Sequence, residues 1–261
     1  MNKFAQIFQV KKAVIAMVHL QYMPGMSKQQ YIDAALRDVK TLGEGGVHGL
    51  MFENWGMDYS WIRVRQDELE YIDAAMDAAK RGTKLPYGVN ILPFDHFSDR
   101  YLADRHGAEF VQIDTLVDDV VTDYSNEFIM RPTPDAIRSH LAGYVLLANI
   151  QTKHYRTLPP NKKLETSARQ AVQHGADALV VTGKLTGKET PISKILRARK
   201  AVNNGIPIGI GSGMNVNNVP VLMPHADFCI VGTGIKKDKI TENPYDPDET
   251  RRFMDTVCKL F

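Results

Sequence analysis

The sequence predicts one closed (β/α)₈ barrel of parallel strands and outer helices, and three observations predict it. Eight short apolar runs rich in β-branched residues alternate with amphipathic stretches. Near-continuous apolar runs of this length read as strands buried on both faces, which requires a parallel sheet covered by helices. Three segments repeat one junction, a helix end, a glycine turn and a strand start: Glu44-Gly45-Gly46-Val47, His106-Gly107-Ala108-Glu109 and His174-Gly175-Ala176-Asp177. No Ser/Gly linker or composition break divides the chain, so residues 1–261 read as a single barrel domain with its core from about 12 to 260.

The eight runs are residues 13–18, 47–52, 87–92, 109–114, 144–149, 178–181, 207–210 and 228–231. Between them lie helical patterns. Tyr31, Ala34, Ala35, Asp38 and Val39 follow the i, i+3, i+4 rule, as do Leu69, Ile72, Asp73 and Met76. Leu164, Ala168, Ala171 and Val172 repeat it and stop at Gly175; Ile195, Ala198 and Val202 stop at Gly205. The last helix, Pro247–Leu260, sets Phe253, Met254, Val257 and Leu260 on one face, with Asp246 as N-cap and Pro247 as its first residue.

Composition excludes several classes of function. Lysine and arginine exceed aspartate and glutamate by only 2, which gives no field to drive binding to nucleic acid or to a membrane surface. No apolar run approaches the ~18 residues of a membrane span. Residues 1–12 lack the apolar stretch of a signal peptide. The two cysteines, Cys229 and Cys258, make no disulfide framework. A cytoplasmic location is the expectation.

In a barrel the chemistry sits where strands end at their C-terminal side. Those ends offer His19, Glu53, Asn54, Asn90, Asp95, Asp114, Asn149, Lys153, His154, Thr182, Gly183 and Thr186. A carboxylate, a lysine and an imidazole converging there suit proton transfer, a Schiff base or a metal-bound water. We take His19, Glu53, Asp95, Lys153 and His154 as the catalytic candidates. Asn54, Asn90, Asp114, Asn149, Thr182, Gly183, Thr186 and Lys236 are the ligand-binding candidates. No organic-cofactor motif, HExxH or CxxC pair is present, so no metal ligands are assigned. A divalent metal is compatible with the carboxylates but not implied. His48, His106, His140, His174 and His225 fall at helix ends or turns and read as structural; His96, beside Asp95, is given neither role. Trp55 and Trp61, expected in the loop after the second strand, could stack on a ring, cover a contact in a homo-oligomer or form a local cluster.

The last two strands end in Gly211-Ser212-Gly213 and Gly232-Thr233-Gly234. Glycines let backbone N–H groups approach an anion, and hydroxyls add donors. These six residues are the expected phosphate site, on the two strands where barrels commonly bind phosphate.

Further motifs carry a resemblance. Met17-Val18-His19-Leu20 with Pro24-Gly25, Gly45-Gly46-Val47, Glu53-Asn54-Trp55-Gly56 and Gly88-Val89-Asn90-Ile91-Leu92 resemble the BtpA/SgcQ family. So do Lys153-His154, Val181-Thr182-Gly183 with Thr186-Gly187, Gly211-Ser212-Gly213 and Gly232-Thr233-Gly234-Ile235-Lys236. The likeness runs from about residue 12 to 254. It implies a TIM barrel of the ribulose-phosphate-binding type, and His19, Glu53, Asn54, Asn90, Lys153 and His154 match the family pattern. Two places depart from it. Pro93-Phe94-Asp95 stands where the family typically has Arg-Asn-Asp, and Asn149 where it often has an aspartate. The expected function is an enzyme on a small phosphorylated metabolite, a sugar phosphate or ribosyl phosphate, working by isomerase, lyase or hydrolase chemistry. The alternative is a non-catalytic ligand binder or assembly factor, which the family's link to photosystem I biogenesis favours.

Overall fold

Every second residue of a strand points into a closed barrel, so the interior is built from alternate positions. The computed structural model describes residues 2–57, 59, 62–122 and 128–261. Its barrel strands are β1 (Ala13–Gln21), β2 (Gly49–Trp55), β3 (Tyr87–Asn90), β4 (Phe110–Ile113), β5 (Val145–Ile150), β6 (Ala178–Val181), β7 (Ile208–Ile210) and β8 (Phe228–Val231). Each pairs in parallel with the next, and β8 pairs with β1 to close the ring. Helix α1 (Lys3–Ile7) precedes the barrel. Outside it lie α2 (Lys28–Glu44), α3 (Gln66–Arg81), α4 (His96–His106), α5 (Pro134–His140), α6 (Leu164–Gln173), α7 (Ile192–Ala201), α8 (Val219–Leu222) and α9 (Pro247–Leu260). Among the described residues no helix is long and apolar enough to cross a membrane.

Local chemistry sets the element ends. Ser27 and Gln30 close a capping box at the start of α2, and Asp246 accepts from the amides of Asp248 and Glu249 at the start of α9. At the three repeated junctions Gly46, Gly107 and Gly175 hold φ of +84°, +80° and +84°, a left-handed turn that disfavours side chains. The second strand differs from expectation. Val47 and His48 belong to the turn, and Glu53, Asn54 and Trp55 continue the ladder opposite His19, Leu20 and Gln21. Polar side chains do not interrupt backbone pairing, so hydropathy placed the strand end too early.

The barrel's lower end is closed by phenylalanine. Phe4 lies 4.8 Å from Phe8 and 4.6 Å from Phe228, and Phe8 lies 5.5 Å from Phe110, ring centre to ring centre. The core therefore begins at Phe4, ahead of the expected residue 12, because α1 is too short to show a period. Gly88 and Gly209 make room for these rings: a Cβ on either would lie 2.2 Å from Phe110 or Phe228, respectively. Ile15, Met51, Leu147, Val180 and Ile230 fill the next layer.

A second, smaller sheet lies outside the barrel. Asp119–Thr122 pairs antiparallel with both Ile129–Met130 and Tyr155–Leu158, in a small sheet made by the segments that follow β4 and β5. Its buried Val120, Met130 and Tyr155 form a cluster of their own. These strands are too short to show an alternation.

We expect Gly88→Ala to destabilise the fold by about 1–3 kcal/mol through overpacking. In a Phe110→Leu background Gly88→Ala should cost less than in the unaltered chain, as read by denaturant unfolding. Simple additivity of the two changes would show that the ring is not what Gly88 accommodates.

Candidate active site

Strand alternation that places apolar residues low in the barrel places polar ones near its top. A cavity of about 350 Å³ opens at the C-terminal mouth. His19 of β1, Glu53 of β2, Gln112 of β4 and Asn149 of β5 line it, with Asp114 just beyond β4. Lys153, His154, Thr182 and Thr186 form the side toward β6, and Trp55, Tyr59 and Leu92 the apolar side opposite.

Glu53 and His19 are neighbours, with Oε1 and Nε2 3.6 Å apart. Burial pushes the Glu53 carboxyl up to about 8; Lys153 pulls it back and Asp114 pushes it further. Burial also holds His19 well below its ordinary range, aided by the charges of Lys236 and Lys153. The pair is therefore a largely protonated acid beside a neutral imidazole at neutral pH. His19 Nδ1 has no hydrogen-bond partner, and its ring lies 5.2 Å from that of Trp55.

Asp114 accepts from Asn149 Nδ2 at 2.9 Å and from the Tyr155 hydroxyl at 3.0 Å. Burial raises its pKa, and the Tyr155 hydrogen bond and Lys153 oppose the rise. Lys153 is positioned through its amide, which donates to Thr182 Oγ1 at 3.0 Å. Next to it His154 adopts a φ of +65°, and its Nε2 meets Thr186 Oγ1 at 3.0 Å.

The two glycine loops lie side by side. Gly211–Gly213 and Gly232–Gly234 line a hollow of about 30 Å³, with Lys153 and Thr186 at its edge. Through Thr186 and Thr233 it borders an outer hollow of about 360 Å³. A Cβ on Gly213 would lie 2.2 Å from the Lys188 carbonyl oxygen, and one on Gly234 would lie 1.9 Å from that of Met214. Among the described residues, the amides of Gly213, Met214, Thr233 and Gly234 donate to no group of the protein. Ser212 differs from expectation: its hydroxyl accepts from Gly183 N–H and donates to the Lys188 carbonyl, so it ties loops together. Thr233 Oγ1 likewise pairs with Thr241 Oγ1 at 2.8 Å.

Several expected site residues are not brought to the cavity. Asp95 caps α4: it accepts from the Ser98 amide and hydroxyl and from the Val64 amide. Asn54 has the opposite parity to Glu53 and clamps both backbone polar groups of Leu92. Asn90 does not line the cavity but supports it, donating to the Gln112 carbonyl and hydrogen-bonding Asp114. Gly183 donates its N–H to Ser212 Oγ, and a Cβ there would lie 2.5 Å from the Lys188 carbonyl oxygen. Lys236 is 2% exposed, donates to the Thr241 carbonyl at 2.6 Å and lies 4.8 Å above the Tyr245 ring. It acts on the cavity through its field alone. His96 stacks on Phe97 beside His140, at a separate hollow.

Gln112 and Tyr155 join the site with no motif to mark them, and Trp55, one of the two tryptophans able to stack on a ring, lines the cavity. Parity could have found Gln112, since it lies two positions before Asp114 on an inward-facing row. Trp55 ends β2 rather than lying in a loop; Trp61 lies outside the described residues. Among the described residues no three His, Cys, Asp or Glu side chains gather as a metal cage.

Residues 10–259 match the BtpA family. The chain belongs to that family. An uncharacterised protein of Methanocaldococcus jannaschii is 31% identical over 96% of this chain and 97% of its own length. The photosystem I biogenesis protein BtpA of Synechocystis is 27% identical over 97% of this chain and 91% of its own. Among solved structures, thiamine phosphate pyrophosphorylase of Pyrococcus furiosus superposes with a TM-score of 0.59 at 14% identity, covering 100% of this chain and 98% of its own. N-(5'-phosphoribosyl)anthranilate isomerase of the same organism gives 0.56 at 14%, over 95% and 99%. At these identities the likeness shows the barrel fold of this BtpA-family chain.

The Glu53 environment makes a prediction. We expect its carboxyl to titrate near pH 8 in an isotope-edited NMR titration, and higher still in Lys153→Met, because the lysine pulls it down. Its folded value of about 8 exceeds the ordinary 4.5, so the unfolded chain releases this proton first. The stability it contributes is full below pH 4.5 and is lost as pH rises through 8. Glu53→Gln should flatten that fall; a Glu53 titration near 4.5 would refute the assignment.

Proposed function

We propose that this chain is an enzyme on a small phosphorylated metabolite, and that it moves a proton next to the substrate's carbonyl. The observation that carries the reading is the Glu53–His19 pair under a cradle of undonated amides. A carboxyl with a pKa of about 8 has both forms available near neutral pH, so it can give and take a proton in one cycle. His19, kept neutral, is its partner. Lys153 reaches the same cavity and, as a cation, would hold the oxyanion that forms when the α-proton leaves. The phosphate would rest on the amides of Gly213, Met214, Thr233 and Gly234, with Thr186 at its edge. Isomerisation follows if Glu53 returns the proton to the neighbouring carbon, and a lyase reaction if the enolate instead expels the group on its β-carbon, which leaves with the proton that Glu53 took. The solved barrels of similar fold, a thiamine phosphate pyrophosphorylase and an N-(5'-phosphoribosyl)anthranilate isomerase, support this substrate class. A cytoplasmic site of action fits two free thiols.

The name of the Synechocystis relative favours a second reading, a ligand-binding barrel that acts in assembly. The same amide cradle would serve it, but it has no need of an acid tuned toward neutrality.

We expect Lys153→Met to lower activity or ligand affinity at least ~10-fold, about 1.4 kcal/mol, with the fold retained by circular dichroism. Borohydride should trap no adduct. A trapped imine would make Lys153 a nucleophile, and a fully active Lys153→Met protein would remove it from the mechanism.

Thr233→Glu sets a carboxylate at the amide cradle. It should weaken a phosphorylated ligand at least ~10-fold in calorimetry, since each charge-assisted contact contributes roughly 1.5–3 kcal/mol. Unchanged affinity would place the phosphate elsewhere.

A further inference from the structure

The floor of the cavity carries two amide side chains, Gln112 and Asn149, 7% and 2% exposed. Their neighbours fix which way each amide points. Asn90 Nδ2 donates to the Gln112 main-chain carbonyl at 3.1 Å, which turns Asn90 Oδ1 toward Gln112 Nε2, 3.5 Å away. Gln112 Oε1 is left with no donor. Asn149 Nδ2 donates to Asp114 Oδ1, and Asn149 Oδ1 is likewise left with none. Buried oxygens of this kind are costly unless a donor meets them, and both belong to side chains that line the cavity. Asp114, itself an acceptor, lies beside them. Trp55 and Leu92 add apolar surface to the same cavity. The one lysine lining the cavity is Lys153, whose amide is tied to Thr182 beyond the end of β6.

We propose that the far end of the ligand is neutral and carries hydrogen-bond donors, as a polyhydroxyl chain or an amino-bearing ring does, and that Gln112 and Asn149 select it. The inference rests on the reading of the glycine loops as the phosphate site, which sets the ligand's direction. A head group ending in a carboxylate, such as that of phosphoribosylanthranilate, would aim its charge at Asp114 and at two carbonyl-type oxygens. It would meet repulsion from Asp114 and no donor among these three groups. An amino or hydroxyl head meets three acceptors in a cavity that Trp55 also lines. Gln112 is thus a specificity residue, one the acid–base chemistry does not require.

Calorimetry on the full chain tests this with ribose 5-phosphate, adenosine 5'-monophosphate and phosphoribosylanthranilate, each beside its unphosphorylated counterpart and inorganic phosphate. At least one donor-bearing phosphate should bind ~10-fold or more tighter than the carboxylated one, and the tighter of the two tells a polyhydroxyl head from an amino ring. Gln112→Met, of similar size and without the acceptor, should erase that preference while inorganic phosphate binds as before. Gln112→Glu keeps an acceptor and should keep the preference. The proposal is overturned if the carboxylated ligand binds as tightly, if no donor-bearing ligand binds, or if Gln112→Met leaves the ranking intact. Failure of the phosphate site is seen separately. If inorganic phosphate does not bind and phosphorylation adds nothing, the loop assignment falls, and the ranking of ribose and adenosine against anthranilate still decides the head group.

Discussion

The chemistry of this molecule depends on keeping water out of the barrel from below. Phe4, Phe8, Phe110 and Phe228 stop the lower end, and a complete ring of eight strands leaves no side entrance. Polar residues standing on that plug are therefore desolvated. Burial is the largest cause of the shifts at Glu53, His19 and Asp114 alike. Desolvation acts against charge of either sign, so it raises the acid and lowers the base together. That is why Glu53 and His19 can lie 3.6 Å apart without forming an ion pair. Lys153, only half-buried, contributes a positive field that stops Glu53 from rising further.

Strands and loops divide the work. The inward rows of β1, β2, β4 and β5 supply the acid, the imidazole and the amides, on backbone that pairing holds rigid. The loops after β6, β7 and β8 supply the amides to which the proposed function assigns an anion, and hydroxyls tie these loops to their neighbours. Ser212, Thr190 and Thr182 each accept from or donate to a neighbouring loop. A hydroxyl spent on such a tie fixes the loop's amides in place, which is worth more to an anion site than one mobile donor. The crowding at Gly213 and Gly234 has the same effect, since the loops can approach so closely only without side chains there.

How much of this could be read from the sequence follows from what each signal measures. Apolar runs mark where strands are buried, so all eight barrel strands were legible, but polar strand ends were not, and β2 was cut short before Glu53. Glycine turns were legible because a left-handed φ narrows the choice of residue. The phenylalanine plug escaped because α1 is a single turn and its partners are far apart in sequence. Asp95 and Asn54 were taken for site residues because hydropathy places a polar group after a strand without saying what it faces. Asp95 is also the first residue before a helix, where a carboxylate serves the free amides. Asn54 adjoins Glu53, and in a strand adjacent residues cannot both face inward.

Asn149 shows how a single departure from the family pattern bears on the site. Its side chain lies 2.9 Å from the Asp114 carboxylate and donates to it. An aspartate at that position would put two carboxylates at hydrogen-bond distance in a desolvated layer, where both cannot be ionised. One would have to take up a proton, and Glu53, already raised by Asp114, would feel the additional charge of any that did not. The amide removes the conflict. It neutralises nothing, yet it gives Asp114 a donor and so lets that carboxylate keep its place among Asn149 and Tyr155. The cost is the second atom of the same amide, Oδ1, which is buried with no donor of its own. Asparagine at this position therefore leaves a buried acceptor where an aspartate would add a charge.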